Sequence, residues 1–229
     1  MTQSRPHIGR LREGPLHASL KRWYARPGDE IEVAVGGFVI DIVRDGLLIE
    51  IQTRGFSSIK QKLATLLDGG HRTRIVHPIP VDRWVVKIDE GGTILSRRRS
   101  PKHGMPADIF TELVSFPDLM ARDEMEIELV LIEEEEVRRH DDDGPWRRKG
   151  WAVVERRLIE VLETIRLNDL SDLTDLMPSE LPRTFTTADL ADGLARPRRT
   201  AQQMAYCLRE LDLIQMVDKR GNAFVYEVS

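Results

Sequence analysis

The chain has 229 residues, with 34 Lys and Arg against 38 Asp and Glu, so its formal net charge is −4. This length can bury a sizeable core, and we expect it to be divided between one medium and one small domain. The single cysteine, Cys207, excludes an internal disulfide framework and a Cys-rich zinc site, and it fits a reducing compartment. The first residues lack an apolar signal segment and no run could span a bilayer, so we expect a cytoplasmic protein with no membrane partner.

Charge placement along the chain is more informative than the net charge. Basic residues gather at 97–102, 147–149 and 196–199, and acidic residues gather at 133–136 and 141–143. Such runs are most often solvated faces. Local basic faces can still bind nucleic acid on an acidic protein, because phosphate contacts are short-range and are screened beyond about 8 Å.

The first part of the chain predicts a mixed sheet with helices. Residues 16–25 have helical apolar spacing, and residues 30–54 predict three strands joined by a Gly-Gly turn at 36–37 and an Asp-Gly turn at 45–46. Ser57 then caps a predicted helix to about Leu67. Further strands are expected at 74–80, 84–89, 93–98 and 125–132, with a helix at 107–116. The expected fold class is α/β (α+β), a mixed sheet flanked by helices.

The rest of the chain predicts a second domain. Residues 140–150 lack apolar periodicity and predict a linker between a domain at 10–139 and another at 151–229. Helices are expected at 151–167, at 187–194 after a capping motif, and at 197–211 with Pro in the first turn. A hairpin around residues 219–222 ends the chain. Three helices and a terminal hairpin are the layout of a winged helix-turn-helix.

The Asp-Gly turn fixes the register of the second hairpin. With Asp45 and Gly46 as the loop residues, counting outward pairs Asp41 with Glu50, and the same count around the Gly-Gly turn pairs Glu32 with Asp41. Three carboxylates should therefore form a row on one face. The opposite face should be apolar, formed by Ile40, Ile42, Ile49 and Ile51.

Such a row of carboxylates predicts a metal site. Directly opposed like charges destabilise a sheet, and a hard cation such as Mg²⁺ or Mn²⁺ would compensate them. The cation could activate water next to a phosphodiester. Gln52, two residues beyond Glu50, could orient that water. Glu30 is an alternative to Glu32, and His17 is a candidate auxiliary ligand, although a lone His is more often a packing or surface residue.

These residues resemble the PD-(D/E)XK nucleases, the restriction-endonuclease-like fold. The resemblance lies in a helix, a three-stranded meander with Asp on its second strand and Glu-x-Gln on its third, and a following helix. It implies that Asp41 and Glu50 are the metal-binding acids of a DNA endonuclease and that Gln52 occupies the place of the usual Lys. Lys60 or Lys62 on the next helix could supply that charge instead. A solvated carboxylate face and a degenerate, inactive nuclease fold are the alternatives.

The C-terminal segment resembles a winged helix that binds DNA. The helix at 197–211 would be the recognition helix, since the N-terminal part of such a helix usually enters the major groove. The residues expected to contact DNA are Arg198, Arg199, Gln202 and Gln203 on this helix and Lys219 and Arg220 on the wing. Paired strand cuts would require a homodimer. The alternatives are a non-catalytic DNA-binding regulator, and a module that binds protein or packs on the first domain.

Overall fold

The computed structural model describes residues 14–141 and 150–229. Fifteen helices and strands within these ranges are, in chain order, α1 (Pro15–Tyr24), β1 (Glu30–Val35), β2 (Phe38–Arg44), β3 (Leu47–Ile51), α2 (Lys60–Asp68), β4 (Thr73–Ile88), β5 (Ile94–Arg99), α3 (Phe110–Leu113), β6 (Met125–His140), β7 (Trp151–Leu167), α4 (Leu170–Thr174), α5 (Thr187–Leu194), α6 (Arg198–Glu210), β8 (Ile214–Arg220) and β9 (Ala223–Val228). The helix α1 and the meander β1-β2-β3 were predicted closely from the sequence.

Seven strands form one mixed sheet in the order β1-β2-β3-β4-β6-β7, with β5 paired to part of β4. Strands β1, β2 and β3 are antiparallel neighbours, because tight turns connect them. Strand β3 is parallel to β4, and β4 is parallel to β6, so helical connections cross over between them. The expectation of a mixed sheet flanked by helices is confirmed.

Helices cover both faces of this sheet. Helix α1 packs one face through Leu16, Leu20 and Tyr24, against apolar residues of β2, β3, β4 and β6. The larger core lies on the other face, where α2, α3 and the C-terminal helices share one continuous apolar cluster. The candidate site lies at the end of the β2-β3 hairpin that is opposite the turn. Helix α1 covers one face of the sheet there, and α2 covers the other.

Residues Trp151–Leu167 form a strand, so the prediction of a long helix there is wrong. Strand β7 pairs antiparallel with β6 from His140–Trp151 to Ile127–Leu167. Three β-bulges interrupt the ladder and leave one residue each, Val154, Ile159 and Leu162, without a partner across from it. The sheet therefore continues beyond the linker expected at 140–150, of which residues 142–149 lie outside the described residues.

Two further elements differ from their predicted form. The two strands expected at 74–80 and 84–89 are one strand, β4, with an irregularity between Pro80 and Asp82. The helix expected at 107–116 is a 3₁₀ turn, Pro106–Ile109, followed by the short α3. Ser57 lies in a 3₁₀ turn and does not cap α2, whose N-cap position is Ile59 without a side-chain hydrogen bond.

The C-terminal unit consists of α4, α5, α6 and the hairpin β8-β9, and it packs on the sheet domain. Thr186 caps α5 as the sequence predicted, because its hydroxyl accepts from the N–H groups of Ala188 and Asp189. Arg196 donates to Asp108 through two nitrogens, at 3.0 and 3.1 Å. Packing against the first domain, one of the alternatives from the sequence, is therefore observed.

Candidate active site

The candidate site lies where β2 and β3 separate. The predicted register holds for the pairs Arg44–Leu47, Val43–Leu48 and Ile42–Ile49, and the ladder stops there. Asp41 and Glu50 do not form the next pair, which corrects the prediction. Instead, Asp41 turns its carboxylate into the gap, where Oδ2 accepts the backbone N–H of Ile51 at 2.9 Å.

Helix α1 holds Asp41 in place. His17 Nε2 lies 3.2 Å from Asp41 Oδ2, and Lys21 Nζ lies 3.8 Å from Asp41 Oδ1. Burial pushes the pKa of Asp41 up, but the hydrogen bond and charge of His17, the Ile51 N–H and the Lys21 charge together hold this pKa below its ordinary value. Asp41 is therefore ionised at neutral pH. His17 was predicted from the sequence as an auxiliary ligand, whereas Lys21 was not predicted, although a spacing of four residues places both on one helix face.

Glu32 does not join a row with the other two acids. Its φ of +56° lies in the left-handed region, which is uncommon for a residue with a side chain, and the described ladder passes from Ile31–Ile42 to Val33–Ile40 without a Glu32–Asp41 pair. The Glu32 side chain is 60% exposed and accepts a hydrogen bond from Lys21 at 2.8 Å. Glu30, the alternative acid, is also exposed. The predicted row of three carboxylates is not formed.

The two remaining acids approach the gap from opposite faces of the sheet. Neighbouring residues of a strand point to opposite faces. Ile49 and Ile51 pack in the cluster under α1, whereas Leu48 packs with Leu66 of α2, so Glu50 lies on the α2 side. The expected common apolar face is divided in the same way, since Ile42 packs under α1 and Ile40 packs with Leu48 and Leu66. Strand β2 therefore changes face at Asp41.

Glu50 is buried beside a lysine of α2. Its Oε1 atom lies 2.5 Å from Lys62 Nζ in an ion pair, and the same ammonium donates to the carbonyl of Val39 at 2.6 Å. Burial raises the pKa of Glu50 to about 7, against the opposing charge of Lys62, and the charge of Asp41 adds to the rise. Within the described residues, the side-chain partner of this buried Glu50 oxygen is the Lys62 ammonium.

Gln52 and Lys60 do not reach the two acids. The Gln52 amide donates to the carbonyl of Gly55 at 3.0 Å and to Ser58 Oγ at 3.1 Å, so it fastens the loop before α2. His77 donates from Nδ1 to the Gln52 carbonyl at 2.7 Å and holds the same loop from β4. Lys60 is exposed at the start of α2, and Lys62, the other lysine considered from the sequence, contacts Glu50.

The donor chemistry of this pair fits a hard divalent cation. Mg²⁺ takes one or two carboxylates and completes its shell with water and phosphate oxygens. Asp41 and Glu50 supply two carboxylates, although Glu50 Oε1 is paired with Lys62, which a cation would have to displace. Residues 14–141 and 150–229 contain no cluster of three or more His, Cys, Asp or Glu side chains suited to a metal. A cation here would therefore depend on ligands from solvent and substrate.

The residues predicted to contact DNA lie on α6 and the adjoining hairpin. Arg198, Arg199 and Gln202 are exposed on α6, whereas Gln203 is half-buried. Lys219 and Arg220 are exposed at the end of β8, directly before the turn, and Lys219 Nζ lies 5.6 Å from the ring centroid of Phe224. Tyr206 and Arg209, which were not predicted as site residues, line a cavity of about 290 Å³ between α6 and the hairpin.

Comparisons with known proteins agree with the extent of the sheet domain. The chain is 30% identical over 223 residues to a protein of Treponema pallidum (strain Nichols) named "Uncharacterized protein", across 96% of this chain and 86% of the relative. No solved structure matches the chain. Within the described ranges, no helix is both long and apolar enough to cross a membrane. Residues 14–168, which run from α1 to the end of β7, match "Domain of unknown function (DUF8091)", and the chain therefore belongs to the DUF8091 family.

Proposed function

We propose that this protein is a Mg²⁺-dependent DNA endonuclease of the PD-(D/E)XK type. The element order α1-β1-β2-β3-α2-β4, with β4 parallel to β3, supports this proposal because it extends the sequence resemblance to the topology. The observation that carries the proposal is the pair of acids where β2 and β3 separate: Asp41 accepts the backbone N–H of Ile51, the neighbour of Glu50, and buried Glu50 pairs with Lys62.

Asp41, Glu50 and Lys62 have different roles in the proposed site. Asp41 is fixed by His17 and Ile51 and stays ionised, whereas Glu50 loses its proton near pH 7. A bound Mg²⁺, held by these two carboxylates, would activate water and stabilise charge on the phosphate. Once a cation neutralises Glu50, the Lys62 ammonium is available to the phosphate. Lys62 thus supplies the positive charge that Gln52 cannot.

Cleavage by isosteric variants tests the proposal. Plasmid and branched DNA are incubated with Mg²⁺ or Mn²⁺ and wild type, Asp41→Asn or Glu50→Gln, and we expect cleavage to fall at least a hundredfold in both variants. The control is Glu32→Gln, which makes the same change of charge at an exposed carboxylate beside the site. Equal cleavage by wild type and both site variants would contradict the proposal.

A second function, that of a non-catalytic DNA-binding regulator, is favoured by the pairing of the acids with cations. Lys62 lies against Glu50, and His17 and Lys21 lie against Asp41, so the site is already largely neutralised. In that case no divalent cation binds, and DNA binding survives Asp41→Asn. Calorimetric titration with Mn²⁺ distinguishes the two functions, because only the nuclease releases heat that Asp41→Asn abolishes.

We extend the proposal to the C-terminal unit as a DNA-binding winged helix. An antiparallel bridge between Phe185 and Tyr226 adds a short third strand to the β8-β9 hairpin, and α5 ends at Ala195 in the left-handed conformation before α6. These features support a helix-turn-helix followed by a wing. Its DNA contacts would be Arg198, Arg199, Gln202, Gln203, Lys219 and Arg220. We also propose a cytoplasmic location and a homodimer. The double variant Arg198→Ala/Arg199→Ala should bind DNA more weakly than wild type.

A further inference from the structure

The hairpin of β4 and β5 carries a basic edge far from the C-terminal unit in sequence. Every residue of β5 is exposed, and the strand contains Arg97, Arg98 and Arg99. Ile94 and Leu95 at its start are 62% and 59% exposed. The strand β5 itself contains no acidic residue, so its outer edge is positively charged.

Two of these three arginines have no acidic partner among the described residues. Arg97 donates to Glu135 at 2.8 Å, and its guanidinium lies 3.7 Å from the ring centroid of Trp84. Arg98 and Arg99 form no ion pair within residues 14–141 and 150–229, and Arg99 lies 5.1 Å from the Trp84 ring centroid. The Trp84 side chain is fixed in turn by donating to Glu133 at 2.6 Å. As far as the structure describes the chain, two guanidinium charges at the edge of the sheet are therefore uncompensated.

Strand β5 pairs with the same edge of β4 as β3, the strand that carries Glu50. Strand β6 pairs with β4 along one edge from Thr73 to Ile88, so β3 and β5 share the other edge. On that edge Ile51 pairs with Val76, and Arg99 pairs with Trp84. Eight residues separate the two positions along β4, which is about 26 Å at about 3.3 Å per residue.

We propose that the β4-β5 hairpin is a second DNA contact, at which Arg98 and Arg99 bind the phosphate backbone of duplex flanking the site. The inference rests on the proposed function and adds duplex on one side of the cleavage position as a substrate requirement. Rows of arginine without acidic partners match phosphate by charge and geometry. A separation of about 26 Å corresponds to about eight base pairs of duplex at about 3.4 Å each.

Salt-dependent binding of duplexes of two lengths tests the inference. Fluorescence anisotropy of the full chain is measured with a duplex of about 30 base pairs and with a stem-loop whose duplex has about 6 base pairs, in Ca²⁺ to suppress cleavage, for wild type and Arg98→Ala/Arg99→Ala. For the long duplex we expect the slope of log K against log salt to fall by about 1.8 and the affinity to fall about tenfold in the variant. A duplex of about 6 base pairs is about 20 Å long and cannot span the site and the hairpin together, so the variant should lose less affinity for it than for the long duplex.

The control is Arg26→Ala/Arg183→Ala, which removes two exposed arginines elsewhere and should leave both quantities near wild type. An unchanged slope for Arg98→Ala/Arg99→Ala, an equal loss in the control, or no salt-dependent binding by wild type would overturn the inference. Cleavage separates it from the proposed function. If the hairpin variant loses affinity while wild type cleaves no DNA, the hairpin contact stands and the nuclease proposal falls.

Discussion

Glu50 makes the stability of the protein dependent on pH. Burial raises the pKa of its folded form to about 7 from an ordinary value of 4.5, so the folded state holds a proton that the unfolded state has released. The free energy of unfolding should therefore fall as pH rises through this window, by about 3 kcal/mol. Above pH 7 both states are ionised and the penalty is constant.

Glu50→Gln should remove this dependence. Urea unfolding at pH 5, 6, 7 and 8 should show that the variant gains stability relative to wild type with rising pH, by up to about 3 kcal/mol between the extremes. The control is Glu32→Gln, which makes the same substitution at an exposed carboxylate of the neighbouring strand. A constant difference for Glu50→Gln would contradict the raised pKa.

Lys62 sets the pH at which Glu50 can act. Its charge lowers the pKa of Glu50, so Lys62→Gln should raise that pKa above about 7. Mn²⁺ binding, measured by calorimetry at pH 6, 7 and 8, should therefore shift its midpoint to higher pH in the variant. Lys60→Gln is the matched control, since Lys60 is exposed on the same helix. If both variants keep the wild-type midpoint, Lys62 does not act on Glu50.

The bulges of β7 give neighbouring residues different degrees of burial. Leu158 is half-buried against the cluster under α1, whereas Ile159 is a bulge residue and 43% exposed. Leu158→Lys should cost about 1 to 3 kcal/mol of unfolding free energy, and Ile159→Lys should change it by less than about 0.5 kcal/mol. Urea denaturation measures both. A helix at 151–167 would predict similar costs for the two neighbours, so equal losses would contradict the strand.

The same bulges explain why β7 could not be predicted from the sequence. A regular strand alternates apolar and polar residues, but each bulge inserts one residue and shifts the alternation. The insertions create the apolar doublets Val153-Val154, Leu158-Ile159 and Val161-Leu162. Doublets spaced three to five residues apart imitate the apolar stripe of a helix. The apolar pattern of residues 151–167 therefore indicated the period of a helix instead of the alternation of a strand.

Tight turns made the β2-β3 hairpin predictable, but not the orientation of its acids. The Asp-Gly turn fixes the register, and three of the predicted pairs are present. The direction of Asp41 depends on His17 and Lys21 of α1, which are distant in sequence, and counting residues from a turn cannot detect them. The local pattern thus predicted the hairpin and its register near the turn, but tertiary contacts decide the direction of each acid, and the predicted Asp41–Glu50 pair is not formed.

The sheet domain and the C-terminal unit should unfold together. One apolar cluster joins the sheet domain to the C-terminal unit, and Met204 of α6 is fully buried within it. All four tryptophans lie at or before position 151, so their fluorescence reports on the sheet domain. Met204→Ala should lower the tryptophan-detected unfolding free energy by about 2 to 5 kcal/mol. Tyr206→Ala, at an exposed position on the same helix, is the control.

Independent units would give a different result. The tryptophan signal would then keep its wild-type midpoint in urea while far-ultraviolet circular dichroism showed an earlier transition for the C-terminal helices. Coincident transitions in wild type and Met204→Ala are the expected outcome. Cooperative unfolding would also mean that DNA bound by α6 stabilises the carboxylate site, since binding to the folded state alone shifts the whole equilibrium.

The bulged form of β7 has a consequence for self-association. Among the described residues, the seventeen-residue strand β7 pairs on one side only, with β6, and edges with unpaired backbone groups are templates for aggregation. Three bulges divide this edge into short segments with different twist, so a second copy cannot extend the sheet in register across it. Deleting the bulge residues would straighten the strand, and the protein would then be expected to precipitate before it unfolds.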